Sequence, residues 1–470
     1  MRRNSCYILF LFFTFTFHFC LIFEVAGERD PLIGSQRESL ETIIGGGGYT
    51  AAPPPEIEDC PAPPPPPEPV CPPPRQHPLP PSPPPPRPPE PPKLPPNILR
   101  DYDTIQKFSK KITIDPKGIT RSWNRADKNV CRFVGFQCDY RPDTGVLSVA
   151  AANFNGCNFS GPNFQLKDLL DQLVDLSIFH ANSNNFAGIL PNEMEFQSIK
   201  FLFELDLSNN KYTGGFPMSV LGATSLTFLD IRFNSFSGPI PRELFNLDLD
   251  VLFLNNNQFT QQLPDNIGST PALYLTFANN HFTRPIPSSI GRAKNLLEVL
   301  FLNNNLTGCL PYKIGFLNES TVFDVSCNKL TGPIPHSFAC LTKIEILNLA
   351  TNEFYGPVPE MVCKLPNLQN LSLYGNYFTL VGPECRKLIQ LKRLDVGKNC
   401  ILNLPNQRTA EQCREFFSKH RKCPNEKSLS IIPCSKNYRS TAAKFDQQST
   451  VSAPPPKSYD ALSPQNKLRF

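Results

Sequence analysis

The chain has 470 residues with 52 Pro, 25 Gly and 16 Cys, too long for one ordinary core and too rich in proline to be globular throughout. Its formal charge of +5 is unevenly spread: residues 1–96 carry 7 basic and 10 acidic groups, 97–407 carry 27 and 26, and 408–470 carry 12 and 5. A basic excess confined to the tail argues against a nucleic-acid-binding domain, whose positive charge should line a folded face, and one Trp adds nothing to a base-stacking reading, so no nucleic-acid partner is expected.

Arg2 and Arg3 precede an apolar stretch from Tyr7 to Phe23, and the small residues Val25, Ala26 and Gly27 follow. This is the three-part layout of a secretory signal, which places a signal peptide at 1–27 with cleavage near Ala26 or Gly27. No later stretch approaches ~18 consecutive apolar residues, so no transmembrane segment is expected in the mature chain. Residues 28–96 hold 27 of the 52 prolines, 26 of them between Pro53 and Pro96, and read as an extended polyproline rod or a solvated linker. Without Cys6 and Cys20 the chain keeps 14 cysteines, an even number that favours disulfides in an oxidising compartment over metal ligation or thiol catalysis. Four Asn-x-Ser/Thr sequons, at Asn158, Asn305, Asn318 and Asn370, are candidate N-glycosylation sites that agree with secretion.

Ile98, Tyr102, Ile105, Phe108 and Ile112 fall at helical spacing, and Pro116 stops that helix. The run SWNRADKNVCRFVGFQC then puts Cys131 and Cys138 seven apart. Self-similarity follows, in LDLSNNKYTG (205–214), LDIRFNSFSG (229–238), LFLNNNQFT (252–260), FDVSCNKLTG (323–332), LNLATNEFYG (347–356) and LSLYGNYF (371–378). All share the template L-x-L-x-x-N-x-L/F-x-G, with the same Asn recurring from Asn184 to Asn399 in steps of 23 to 26 residues. Cys157 holds the equivalent place one unit earlier, giving about eleven units.

Each L-x-L is a short strand with its leucines inward, and the Asn amide can bond free backbone groups where the chain leaves the strand. No unit closes its own core, so stacked units pair their strands into one parallel sheet of the order of 50 Å at ~4.8 Å per strand. The expected fold is an α/β solenoid of leucine-rich repeats. Motifs such as GPIP (238–241 and 332–335), GCLP (308–311) and GPVP (356–359) resemble the plant-type repeat, whose extra strand twists the solenoid into a right-handed superhelix. The stretch around Cys131 and Cys138 looks like the plant N-terminal cap of such repeats, which implies that these two cysteines pair. The layout is thus an N-terminal helix and cysteine cap at 97–145, repeats at 146–403, a C-terminal cap at 404–434 with Cys413, Cys423 and Cys434 in it and Cys400 just before it, cysteines whose pairing spacing does not give, and a basic tail at 435–470.

The IQKF and ITIDPKGITRSW runs, the cap NVCRFVGFQC, the EVLFLNNNLTGCLP unit, the TVFDVSCNKLTGPIP unit and the closing QRTAEQCREFF resemble the leucine-rich repeat extensins of plant cell walls. The resemblance covers about 97–424. In that family a long Ser-Pro-rich region follows the repeats; here the proline segment precedes them and holds one such motif, Ser82 with Pro83 to Pro86. The resemblance implies a wall-associated protein whose repeats bind small, basic, cysteine-rich peptides of the rapid alkalinisation factor type and associate as homodimers. Contact with wall polysaccharide is a further partner it suggests. Two other readings stay open: an inhibitor of secreted pectin-degrading enzymes, similar to polygalacturonase-inhibiting proteins, and a purely structural wall component.

Residues alternating with the inward leucines face the concave side. Among them Phe253, Leu300 and Leu302 form an apolar patch in mid-sheet, Arg232 and Tyr374 lie to either side, and Asp206, Asp230 and Asp324 flank it. These eight are the candidate ligand contacts, with the acids favouring a basic ligand. The chain holds no HExxH, GxSxG or phosphate loop, so neither catalysis, nor a metal, nor a cofactor is expected.

Overall fold

The computed structural model describes residues 94–435 apart from 124–125, 163–165, 191–195, 197–198 and 420–421. The signal-like stretch, nearly all of the proline segment and the basic tail lie outside the described residues.

The chain enters on the helix Pro96–Ser109, with proline in its first turn, where a missing N–H costs nothing. Its buried stripe of Ile98, Tyr102, Ile105 and Phe108 covers the start of the solenoid. Trp123 completes this lid: its indole N–H donates to the Val134 carbonyl at 2.9 Å, and its ring meets Phe136 edge-on at 5.4 Å. A disulfide joins Cys131 to Cys138. Asp101, wholly buried beside Arg100 and Asp175, has its pKa raised to about 6 by burial, against the pull of Arg100.

Two sheets run the length of the repeats. The inner one has twelve strands among the described residues. Phe136–Tyr140 pairs antiparallel with Leu147–Asn153, and parallel strands follow one per coil, from Ile178–His180 to Leu394–Asp395. The outer sheet has nine, from Ala187–Ile189 to Tyr377–Leu380, built from the residues just after each recurring Asn. That is the extra strand the plant-type motif implies.

Between the sheets five coils return through a short 3-10 turn opened by proline, Pro217, Pro241, Pro287, Pro311 and Pro335 each preceding one. Proline's fixed φ sets the entry angle and its missing N–H leaves nothing unpaired. The coils stack so closely here that a Cβ on Gly291 would lie 2.2 Å from the Lys313 carbonyl oxygen.

Two devices bind coil to coil. Buried aromatic rings repeat at the second residue after the Asn: Tyr212, Phe236, Phe259 and Phe282 follow one another at 6.0 to 6.3 Å between centroids, near-parallel. The second device is the Asn itself. Asn304 accepts the Phe282 N–H at 3.0 Å and donates to the carbonyls of Phe277, Phe301 and Leu302 at 3.0, 3.1 and 3.2 Å. Two of these groups belong to the preceding coil. Asn210, Asn257, Asn328, Asn352 and Asn376 repeat the pattern. Just before each of these six the backbone turns left-handed in five cases at a non-glycine residue, with φ from 52° to 56° at Asn209, Asn256, Asn303, Cys327 and Thr351. Asn tolerates that region well.

The C-terminal segment departs from a simple end plug. Cys400 and Cys413 pair with each other, but Cys423 bonds Cys309, 114 residues back, and Cys434 bonds Cys340, 94 residues back. A further disulfide, Cys363–Cys385, joins the last two coils. After the helix Ala410–Ser418, held at its start by a reciprocal Thr409/Gln412 capping box, the chain therefore runs back along the repeats as a strap. Phe416 stacks on Tyr377 at 3.5 Å, Phe417 meets Tyr355 edge-on at 6.4 Å, and the Arg408 guanidinium lies 4.1 Å over Tyr377. Gly332 makes room for the crossing, since a Cβ there would sit 2.5 Å from the Cys423 sulfur.

Candidate peptide-binding face

In-register pairing lines up equivalent residues of the inner strands into rows across the sheet. Two rows are those read from the sequence. One holds Asp206, Asp230, Phe253, Thr276, Leu300 and Asp324; the next holds Arg232, Ala278, Leu302 and, three coils on, Tyr374. The structure thus brings Phe253, Leu300 and Leu302 to one face and sets Tyr374 toward its C-terminal end.

A third row was missed. The residue opening each strand shares the face, which adds Glu204, Phe228, Val251, Tyr274, Glu298, Val322, Ile346 and Arg393. The template L-x-L names only what lies between and after its leucines; period-two alternation carried one residue further back finds this row.

The apolar patch is not exposed, as the sequence reading had it. Leu300 and Leu302 are 0 % and 7 % accessible, and with Ala278, Val322 and half-buried Ile346 they form a cluster separate from the core between the sheets. Phe253 is buried as well, edge-on to Phe228 at 6.1 Å and under the Arg232 guanidinium at 5.1 Å. Among the described residues no helix or strand packs across this face; its strands contact their sheet neighbours.

The acidic flank is also altered. Asp206, Asp230 and Asp324 are all buried. Burial raises the Asp206 pKa despite hydrogen bonds from Ser208 at 2.6 and 2.8 Å. It pushes Asp230 up to about 8, against the pull of Arg232, whose Nε lies 2.9 Å from its carboxylate. Below that value Asp230 is largely protonated and contributes little of the negative charge that the sequence suggested. Asp324 accepts from Asn348 at 3.0 Å. Tyr374 is half-buried, with the Lys398 ammonium 5.3 Å from its ring centre, and Asp395 beside it is exposed.

A pH dependence follows. The Asp230 carboxyl is neutral in the unfolded chain only below about 4 but in the folded chain up to about 8. Its contribution to stability is therefore fully present below pH 4 and is lost as pH rises toward 8, because the unfolded state releases the proton first. Asp230→Asn is expected to gain on the wild type in melting temperature as pH goes from 4 to 8. Parallel curves for the two would show that Asp230 does not titrate this way.

Asn158, Asn318 and Asn370 are exposed and Asn305 half-buried, so all four sequons reach solvent. Asn370 opens an inner strand and so lies on the concave face. Among the described residues no group of three or more His, Cys, Asp or Glu is placed to hold a metal ion, and no helix is long and apolar enough to cross a membrane.

Residues 98–139 match the leucine rich repeat N-terminal domain family, and residues 225–247 and 321–341 match the leucine rich repeat family. The chain is similar to two Arabidopsis thaliana proteins: leucine-rich repeat extensin-like protein 4, 42% identical over 164 residues, and leucine-rich repeat extensin-like protein 1, 38% identical over 162. These matches cover 35% and 34% of this chain but only 32% and 21% of the relatives' own lengths. Among solved structures, the Arabidopsis receptor kinase HAESA in complex with the peptide hormone IDA and a co-receptor superposes with a TM-score of 0.56 at 25% identity, over 64% of this chain and 50% of that one.

Proposed function

We propose that this leucine-rich-repeat chain, similar over a third of its length to extensin-like proteins, is a secreted, wall-associated binding protein that takes an extracellular peptide or protein on its concave face. The observation that carries this reading is the apolar cluster of Ala278, Leu300, Leu302 and Val322. It lies on the sheet but apart from the core, with no described helix or strand across it. The cluster itself is little exposed, so a partner's side chains would meet it at its half-buried margin, Val251, Tyr274 and Ile346. The HAESA complex, a solenoid with a peptide hormone bound, supports the ligand class, and five disulfides fit an extracellular location.

The ligand class we favour is a small, basic, cysteine-rich signalling peptide. With Asp206, Asp230 and Asp324 buried, its affinity comes mainly from apolar anchoring, and the exposed Asp395 supplies the charge complement. Phe253→Ala and Leu302→Ala are each expected to weaken binding by about 1 kcal/mol or more, because anchors desolvated in the complex dominate such interfaces. Titration calorimetry against a panel of basic cysteine-rich peptides and secreted pectinases, with melting curves of each variant alongside, checks this. Weakening that merely tracks loss of folded protein defeats the contact assignment, and binding to pectinases alone replaces this reading by that of an inhibitor.

A further inference from the structure

The last coil of the solenoid differs in charge from everything before it. Residues 97–383 carry 22 Lys and Arg against 24 Asp and Glu, whereas 384–427 carry 11 against 5. Around that coil the cations come in sequence. Arg386 and Lys387 lie on the helix Pro383–Gln390, Lys392 in the turn after it, Arg393 at the opening of the last inner strand, and Lys398 in the exit turn. All five are exposed. Lys387 is tied to Glu384 at 3.1 Å, while Arg386, Lys392 and Arg393 have no ion pair among the described residues. Lys398 lies over the ring of Tyr374. The strap adds Arg414, Lys419, Lys422 and Lys427 beyond this collar.

Resting on the wall-associated reading above, we propose that this cationic collar is a docking surface for an acidic polysaccharide, a polymer of uronic acids with free carboxylates. The cations are spread over helix, turn, strand and exit turn instead of converging on one point, so a small anion would meet one or two of them, in water, where each pair is worth little. A chain bearing a carboxylate at every sugar meets many together and releases its condensed counterions, the gain that makes polyanion binding strong and salt-dependent. The half-buried Tyr374 offers an apolar edge beside the cations, as a pyranose ring requires. Nucleic acid has the same charge but does not share the oxidising compartment that the disulfides indicate. A second copy of this chain would present the same positive collar and be repelled.

The test uses the full secreted chain, its basic tail included, so that the tail contributes equally to wild type and variant. Retention is measured on immobilised unesterified polygalacturonate, on its fully methyl-esterified form and on vesicles containing anionic phospholipid, at two salt concentrations. The wild type is expected to bind the unesterified polymer, to lose at least tenfold in affinity between 50 and 200 mM salt, and to ignore the neutral ester. The triple variant Arg386→Gln, Lys392→Gln, Arg393→Gln is expected to lose tenfold or more with its melting curve unchanged, since all three side chains are exposed. Equal binding to the methyl ester, undiminished binding by the triple variant, or retention on the vesicles alone overturns the proposal. A variant that melts early is replaced by the single changes, of which Arg393→Gln must show at least part of the loss.

Discussion

Replacing Asn304 by Ala is expected to lower stability by about 1–3 kcal/mol, the cost of leaving a buried donor unpaired. The Phe282 N–H would lose its acceptor, while the carbonyls of Phe277, Phe301 and Leu302 would each lose one donor and keep those from Asn280, Asn328 and the Asn279 N–H. Water cannot replace them, since Asn304 is 8 % accessible and both flanking coils are closed. The damage should also be localised. In a solenoid each coil is held by its neighbours alone, so a weakened joint between the coils of Asn280 and Asn304 divides the array. Denaturant unfolding followed by hydrogen exchange should show the Phe282 amide losing protection first and the single transition broadening. A midpoint within experimental error of the wild type would show that the Asn ladder does not hold the coils together.

Cys309→Ala combined with Cys423→Ala should cost about 4 kcal/mol on a chain-entropy account of disulfides. The sequence separation is 114 residues, but the neighbouring tie of Cys340 to Cys434 survives and shortens the loop that is freed. The strap should then loosen ahead of the repeats, exposing the stack of Phe416 on Tyr377. Limited proteolysis near Lys422 and the denaturant midpoint together check this. A strap that stays protected would mean that the aromatic contacts alone suffice to hold it.

What could be read from the sequence divides along a physical line. The inner strands, the Asn ladder and the turn after each strand are local and repeat at a fixed period, so every coil votes for the same structure. The pairing of Cys131 with Cys138 is local as well. The strap is not. Its ties join Cys423 and Cys434 to coils far back in the chain, a relation with no period. One signal did exist: Cys309 stands where sister coils have Pro239, Pro333 and Pro357, an irregular thiol inside a regular array.

The concave face was legible in direction but not in state. Alternation placed Phe253, Leu300 and Leu302 together, yet the same alternation made Asp206 and Asp230 into exposed charges, because a pattern of types carries no measure of desolvation. Their raised pKa values come first from burial, which residue types in a pattern do not record.

The strap also fixes an order of events during synthesis. Ribosomes deliver the chain from its N-terminus, so Cys309 and Cys340 emerge 114 and 94 residues ahead of their partners, while Cys131 waits only seven residues for Cys138. In an oxidising lumen, as the proposed secretion requires, the two early thiols can pair with each other or with another cysteine before their partners arrive. Correct pairing then calls for thiol–disulfide exchange after translation ends, and yield is expected to rise with the supply of isomerase.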